Sequence, residues 1–188
     1  MAGSCYSIRS VKYNPNLHHR RSIRLPAHDY RSTGAYFVTI CTDERLPLLG
    51  RIVGTDFAAN KYGSIVQRQW LRSAEMRSEI QLDAFIMMPN HVHGIVWIAK
   101  ATIGAQGLAP LPASRSGVLP GSLASMIRGF KSAAKIEINE FRRTPRAPVW
   151  QRDYYERVIR NDHELERARE YILDNPRRWA EDKHNPSN

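Results

Sequence analysis

Long apolar runs are missing from this 188-residue chain, and with them any segment of the ~18 to 20 apolar residues that a membrane span needs. Cysteine is scarce as well. Cys5 and Cys41 stand far apart with no C-x-x-C spacing, which argues against a disulfide scaffold and against a cysteine-based structural zinc site. The opening residues, MAGSCYSIRSVKYNP, carry basic side chains but no apolar core, so nothing marks the chain for export. A cytoplasmic protein with reduced thiols is expected, with no membrane partner. No internal repeat is visible. Acidic residues are in deficit, 18 against 28 Lys and Arg, leaving a net charge of +10.

That excess is unevenly placed. Residues 1–35 carry six basic and one acidic side chain, and residues 112–143 carry six and two. The remaining stretches are nearly balanced, so two segments hold almost all of the surplus. Localised basic surfaces suit a polyanion, nucleic acid first. The alternative is a charge kept for solubility, with a basic tail.

Along the chain, residues 1–30 are polar and basic with two prolines, and read as an arm. A β-branched and aromatic run at 36–42 predicts a strand, and Pro47, Gly50 and Gly54 predict a loop after it. Ile65, Val66, Trp70 and Leu71 suggest a helix over 62–76. Strands are expected at 81–88 and 92–98, split by Pro89–Asn90. Residues 100–121 are broken by seven Gly and Pro and read as a flexible insertion. From Ser122 a helical stripe of Leu123, Met126, Ile127, Phe130 and Ala134 returns. A charged strand over 149–159 follows, then a helix over 162–174, with Asn161 as N-cap, Glu164 three residues on, and Pro176 as its stop. The order of elements predicts an α+β fold, a ferredoxin-like antiparallel sheet with helices on one face and a last helix packed across it. The domain is expected over 31–180, with a tail at 181–188.

Two features could carry chemistry. In His91-Val92-His93 the imidazoles lie two apart on a strand and point to one face, so they can converge on one ion. A buried polar pair needs a partner, either a metal or a carboxylate. Two imidazoles with an oxygen ligand would suit Mg²⁺ or Mn²⁺. On the last helix Tyr171 and Asn175 are four apart and share a face if the helix persists. From these residues alone the favoured reading is that Tyr171 packs the helix and Asn175 caps its end. Tyr154 and Tyr155 are the other phenols in play, and alternation lets only one of them face a site. Arg128, Lys131 and Lys135 form a basic stripe on the 122-onward helix. With the arm (Arg9, Lys12, Arg20, Arg21, Arg24) they suit contacts to DNA phosphates.

Tyr36-Phe37-Val38-Thr39-Ile40-Cys41-Thr42, Met88-Pro89-Asn90-His91-Val92-His93-Gly94, Trp150-Gln151-Arg152-Asp153-Tyr154-Tyr155 and Tyr171-Ile172-Leu173-Asp174-Asn175-Pro176 resemble, in this order, the REP-associated tyrosine transposases. These are relatives of the small insertion-sequence transposases of the single-tyrosine HUH class. Arg21-Ser22-Ile23-Arg24-Leu25 and Asp29-Tyr30 add to the likeness, which covers roughly residues 20 to 180. The resemblance implies an HUH endonuclease domain with His91 and His93 as metal ligands, Asn175 as a further ligand, and Tyr171 as the nucleophile. It implies metal-dependent (Mg²⁺ or Mn²⁺) cleavage and strand transfer of single-stranded DNA hairpins, the REP-like palindromes, through a 5′-phosphotyrosine. A bacterial, nucleoid-associated protein, monomer or homodimer, is what it leads one to expect. Two alternatives stay open: a domesticated hairpin-binding protein without transposition, and a nuclease that uses water.

Overall fold

The computed structural model describes residues 33–99, 120–182, 184 and 185. The basic arm with Arg20, Arg21 and Arg24, and nearly all of the Pro/Gly-rich stretch, lie outside the described residues. The elements run β1 (Gly34–Cys41), β2 (Gly50–Val53), β3 (Asp56–Ala59), α1 (Lys61–Glu75), β4 (Ile80–Met88), β5 (His91–Ile98), α2 (Leu123–Arg142), β6 (Tyr155–Ile159) and α3 (Asp162–Asp174).

Four strands form one sheet in the order β4-β5-β1-β6, each pair antiparallel. Without the small β2–β3 hairpin, this is the split β-α-β arrangement of ferredoxin-like domains. Both faces are covered. Trp70 of α1 and Phe130 of α2 belong to the larger core, which takes Tyr36, Val38, Val92 and Val96 from the sheet. Leu165, Ala168 and Ile172 of α3 pack on the opposite face against Phe37, Ile95 and Ile159. The alternation of strand side chains explains the division: odd positions of β1 and β5 go to α3, even ones to α1 and α2.

Local signals start the helices where expected. Asn60, Ser122 and Asn161 cap α1, α2 and α3 by accepting backbone N–H groups. Glu164 reaches back to the Arg160 N–H at 3.1 Å. Gly94 lets α1 approach β5 closely, since a Cβ there would meet Trp70 Cζ2 at 2.5 Å.

Two expectations change. The stretch around Gly50 and Gly54 is not only loop but the β2–β3 hairpin, turning at Gly54 with φ +63°. The strand expected over 149–159 is short and starts at Tyr155. Upstream, Trp150 makes only one bridge to Thr42, and the carbonyls of Gln151 and Arg152 are taken by Lys131 Nζ at 2.6 and 3.0 Å rather than by a ladder.

Candidate active site

β5 begins at His91, directly after the Pro89–Asn90 turn, and its register sets His91 opposite Cys41 and His93 opposite Thr39 of β1. Both imidazoles point to the α3 face, and both are buried at 0% and 1% exposure. Asn90 Nδ2 donates to the carbonyls of Arg45 (2.9 Å) and His184 (2.6 Å), which fixes its amide and turns Oδ1 to His91 Nδ1 at 2.8 Å. That ring nitrogen therefore carries a proton, and in the neutral imidazole His91 Nε2 presents a lone pair. His93 Nδ1 meets Thr39 Oγ1 at 2.8 Å, a hydroxyl that can donate or accept.

The two Nε2 atoms face one another 3.0 Å apart. A lone pair on each would repel at that distance, so the pair needs either a proton on His93 Nε2 or a cation beside both nitrogens. Thr39 accommodates each state by reversing its hydrogen bond. This is the outer-shell support that metal-binding histidines need.

Oxygen comes from a part of the chain that sequence reasoning left out. Beyond Pro176 a short 3-10 turn, Trp179–Glu181, returns the chain over β5 and sets the Trp179 ring 6.1 Å from that of His91. Asp182 then brings a carboxylate oxygen into a group with His91 and His93, all three ligand atoms lying within 4.8 Å of one another. Asp182 Oδ1 also accepts the His184 N–H at 2.6 Å, and the His184 ring lies 4.7 Å from that of His91. Two neutral imidazole nitrogens and a carboxylate are a fitting donor set for a divalent cation. Asn175, 3% exposed, adds a buried Oδ1 that has no hydrogen-bond partner among the described residues.

α3 supplies the phenol. Asn175 keeps helical angles (φ −56°, ψ −42°) despite Pro176, so Tyr171 and Asn175 do share a face. The Tyr171 ring stands 5.2 Å from His93 and 5.8 Å from Phe37, edge-on to both. The side chain is 39% exposed, so the ring is open to solvent on one side. Burial pushes the phenol above its usual range, while the neighbouring Asn175 amide works in the other direction. Of the two adjacent tyrosines, Tyr155 lines the same cleft and Tyr154 packs against the larger core.

No protein-family model matches the chain. An uncharacterised protein of Haemophilus influenzae is 36% identical over 179 residues, 93% of this chain and 97% of that one. A REP-associated tyrosine transposase, solved bound to a REP hairpin, superposes with a TM-score of 0.58 at 17% identity, over 86% of this chain and 77% of its own. The chain belongs to the family of the Haemophilus protein, and its fold is that of a REP-associated tyrosine transposase.

Within that fold the described basic side chains named from the sequence lie away from this cleft. Arg128, Lys131 and Lys135 all sit on α2, across the sheet from Tyr171. Arg128 is exposed and Lys135 half-buried. Lys131 is committed to the carbonyls of Gln151 and Arg152, and burial lowers its amine to about 8. The fold brings His91, His93 and Tyr171 together and keeps the α2 cations apart from them. Among the described residues no helix is long and apolar enough to cross a membrane.

Proposed function

We propose that the protein cleaves and rejoins single-stranded DNA at hairpins of the REP type, with Tyr171 as nucleophile and a divalent ion, Mg²⁺ or Mn²⁺, held by His91 and His93. The observation that carries this reading is the meeting of two elements: the His91 and His93 Nε2 atoms converge at 3.0 Å, and the Tyr171 ring lies 5.2 Å from His93. Asp182 and Asn175 are the candidate oxygen ligands, the first by its grouping with the histidines and the second by its orphaned Oδ1. Such an ion, when bound, supplies Lewis-acid stabilisation of charge on the scissile phosphate.

The chain's own residues account for the rest. α3 holds the phenol at the mouth of the cleft, so the Tyr171 oxygen can approach phosphorus without rearrangement of the sheet. As the Tyr171 O–P bond forms, the phenolic proton leaves, the bond from phosphorus to the 3′ oxygen breaks, and that oxygen takes up a proton. The product is a 5′-phosphotyrosine and a free 3′-hydroxyl. Attack by a 3′-hydroxyl reverses these steps, and no nucleotide cofactor is required. A phenol raised by burial must surrender its proton during attack, so the protonated ground state is the resting form at neutral pH. The hairpin-bound neighbour, at 17% identity, supports the choice of partner, as does the net charge of +10.

The test uses the full chain, Mn²⁺, and a pool of DNA hairpins with randomised single-stranded arms. A denaturant-stable protein–DNA adduct mapped by mass spectrometry to Tyr171 is the expected result. Hairpin binding with no adduct under any divalent metal would leave a binding protein. Cutting that survives Tyr171→Phe would make it a nuclease that uses water.

A further inference from the structure

The cleft beside Tyr171 is built as a trough rather than a pit. Tyr155 and Arg157 on β6 are two apart and face it together, directly across from Thr39 and Phe37 of β1. On α3, Glu164, Arg167 and Tyr171 fall at i, i+3 and i+7, one stripe along the helix. The trough encloses about 490 Å³ and runs to His93 and His184. That volume falls within the ~300 to 1,000 Å³ of clefts that take small ligands.

Two cations line it, and both side chains are exposed. Among the described residues the Arg157 and Arg167 guanidiniums make no hydrogen bond or ion pair, whereas that of Arg169, on the flank of the same helix, is fully engaged. Glu164 is held back by the Arg160 N–H at the helix start. Tyr155 presents a ring that is 38% exposed and steadied edge-on by Phe37 at 6.4 Å. Two open guanidiniums beside an exposed, buttressed aromatic form a site for a phosphate joined to a planar base. Arg167 precedes Tyr171 by one helical turn, about 6 Å along the axis. Neighbouring phosphates of a single strand are separated by a similar distance.

We propose that this trough holds one nucleotide adjacent to the scissile phosphate, with Arg157 and Arg167 on its phosphate and Tyr155 stacked on its base. The assignment rests on the reading that DNA is cleaved at Tyr171. It makes Arg157, Arg167 and Tyr155 binding residues for the single-stranded flank, independent of whatever grips the hairpin stem. Stacking tolerates any base, so the trough contributes affinity and alignment rather than sequence choice.

Two measurements on the full chain test it. The first is equilibrium binding of a short oligothymidylate, which needs no cleavage. Arg157→Gln, Arg167→Gln and Tyr155→Ala are each expected to weaken it by about tenfold, and the arginine variants to flatten its salt dependence. The second is the single-turnover rate of adduct formation on a hairpin recovered from the randomised pool. The same variants slow it by about tenfold or more on hairpins with arms, with binding of an armless stem changed less than twofold. Removing the base of a flanking nucleotide slows the wild type and adds no further loss to Tyr155→Ala. Unchanged oligothymidylate binding in all three variants overturns the proposal, as does equal weakening on the armless stem. If the wild type forms no adduct while the oligothymidylate losses appear, the trough stands and cleavage at Tyr171 is what fails.

Discussion

Arg169 grips Asp83 through two parallel hydrogen bonds, Nε to Oδ1 at 3.0 Å and Nη2 to Oδ2 at 2.6 Å, tying the tyrosine helix to the outer strand of its own sheet. Asp83 sits where the β4–β5 register shifts, between Leu82 and Phe85. It also accepts the Trp97 indole N–H at 3.0 Å and the Ala84 N–H at 2.7 Å. A bidentate pair fixes direction as well as distance. Arg169 is two residues from Tyr171, so the clamp joins the helix that carries the phenol to β4.

Replacing Arg169 by Gln is expected to loosen α3 without unfolding the sheet. Amide exchange should quicken along Asp162–Asp174, and adduct formation should fall by about tenfold while Mn²⁺ affinity is kept. Arg169→Lys should restore little, because an ammonium cannot reproduce the two parallel bonds. Exchange protection on α3 unchanged in Arg169→Gln would show that apolar packing alone positions the helix.

The clamp also has a pH signature. Hydrogen bonding from Arg169, with help from Trp97 and Ala84, holds the Asp83 carboxyl at about 2, below its usual 3.8. In the unfolded chain the group takes its proton near 4. Between those values the unfolded state therefore binds more protons, and stability falls as pH falls. The stabilisation is complete above about pH 4 and is lost towards pH 2. Comparing urea unfolding of the wild type and Asp83→Asn, the gap between them should be constant from pH 7 to 5 and close between pH 4 and 2. A gap that stays constant down to pH 2 would deny the carboxylate this role.

Much of this was legible in the sequence, for identifiable reasons. The four sheet strands and three helices follow from period and from caps such as Asn161, which act over a few residues. The β2–β3 hairpin was not visible, because four-residue strands with half-exposed alternation carry little periodic signal against Gly50 and Gly54. His91 and His93 announce themselves by spacing two apart. Asp182 does not: it lies 89 residues beyond His93 in a polar stretch, and only the turn at Trp179–Glu181 carries it back. Asp83 and Arg169, 86 residues apart, are hidden in the same way.

Metal binding should depend on the two histidines. Mn²⁺ at a hundredfold excess over its dissociation constant is expected to stabilise the wild type by about 2.7 kcal/mol, seen as a rise in Tm. His91→Ala with His93→Ala should abolish that rise and leave far-ultraviolet circular dichroism native. Asp182→Asn should weaken Mn²⁺ by about ten- to a hundredfold in calorimetry if its carboxylate is a ligand. An unaltered isotherm in Asp182→Asn would return the third position to Asn175.

Gly94 offers a check on the packing beneath the site. Trp70 is stacked on Phe85 at 4.9 Å and meets Phe130 edge-on at 5.2 Å, so its indole has nowhere to retreat from a methyl group placed 2.5 Å away. Gly94→Ala should cost about 1–3 kcal/mol in denaturant unfolding, the usual penalty of overpacking. A melting curve like that of the wild type would mean that α1 can slide off β5.

Tyr171→Phe separates chemistry from support. The edge-on contacts with Phe37 and His93 need only the aromatic ring, and the side chain is partly exposed, so stability should change by no more than about 0.5 kcal/mol. Hairpin affinity should stay within a few-fold, and the covalent adduct should vanish, because the oxygen that forms the bond to phosphorus is gone. Tyr155 remains in the same cleft as an intact phenol. An adduct that persists in Tyr171→Phe and maps to Tyr155 would transfer the nucleophile to β6 and leave α3 as a wall of the cleft.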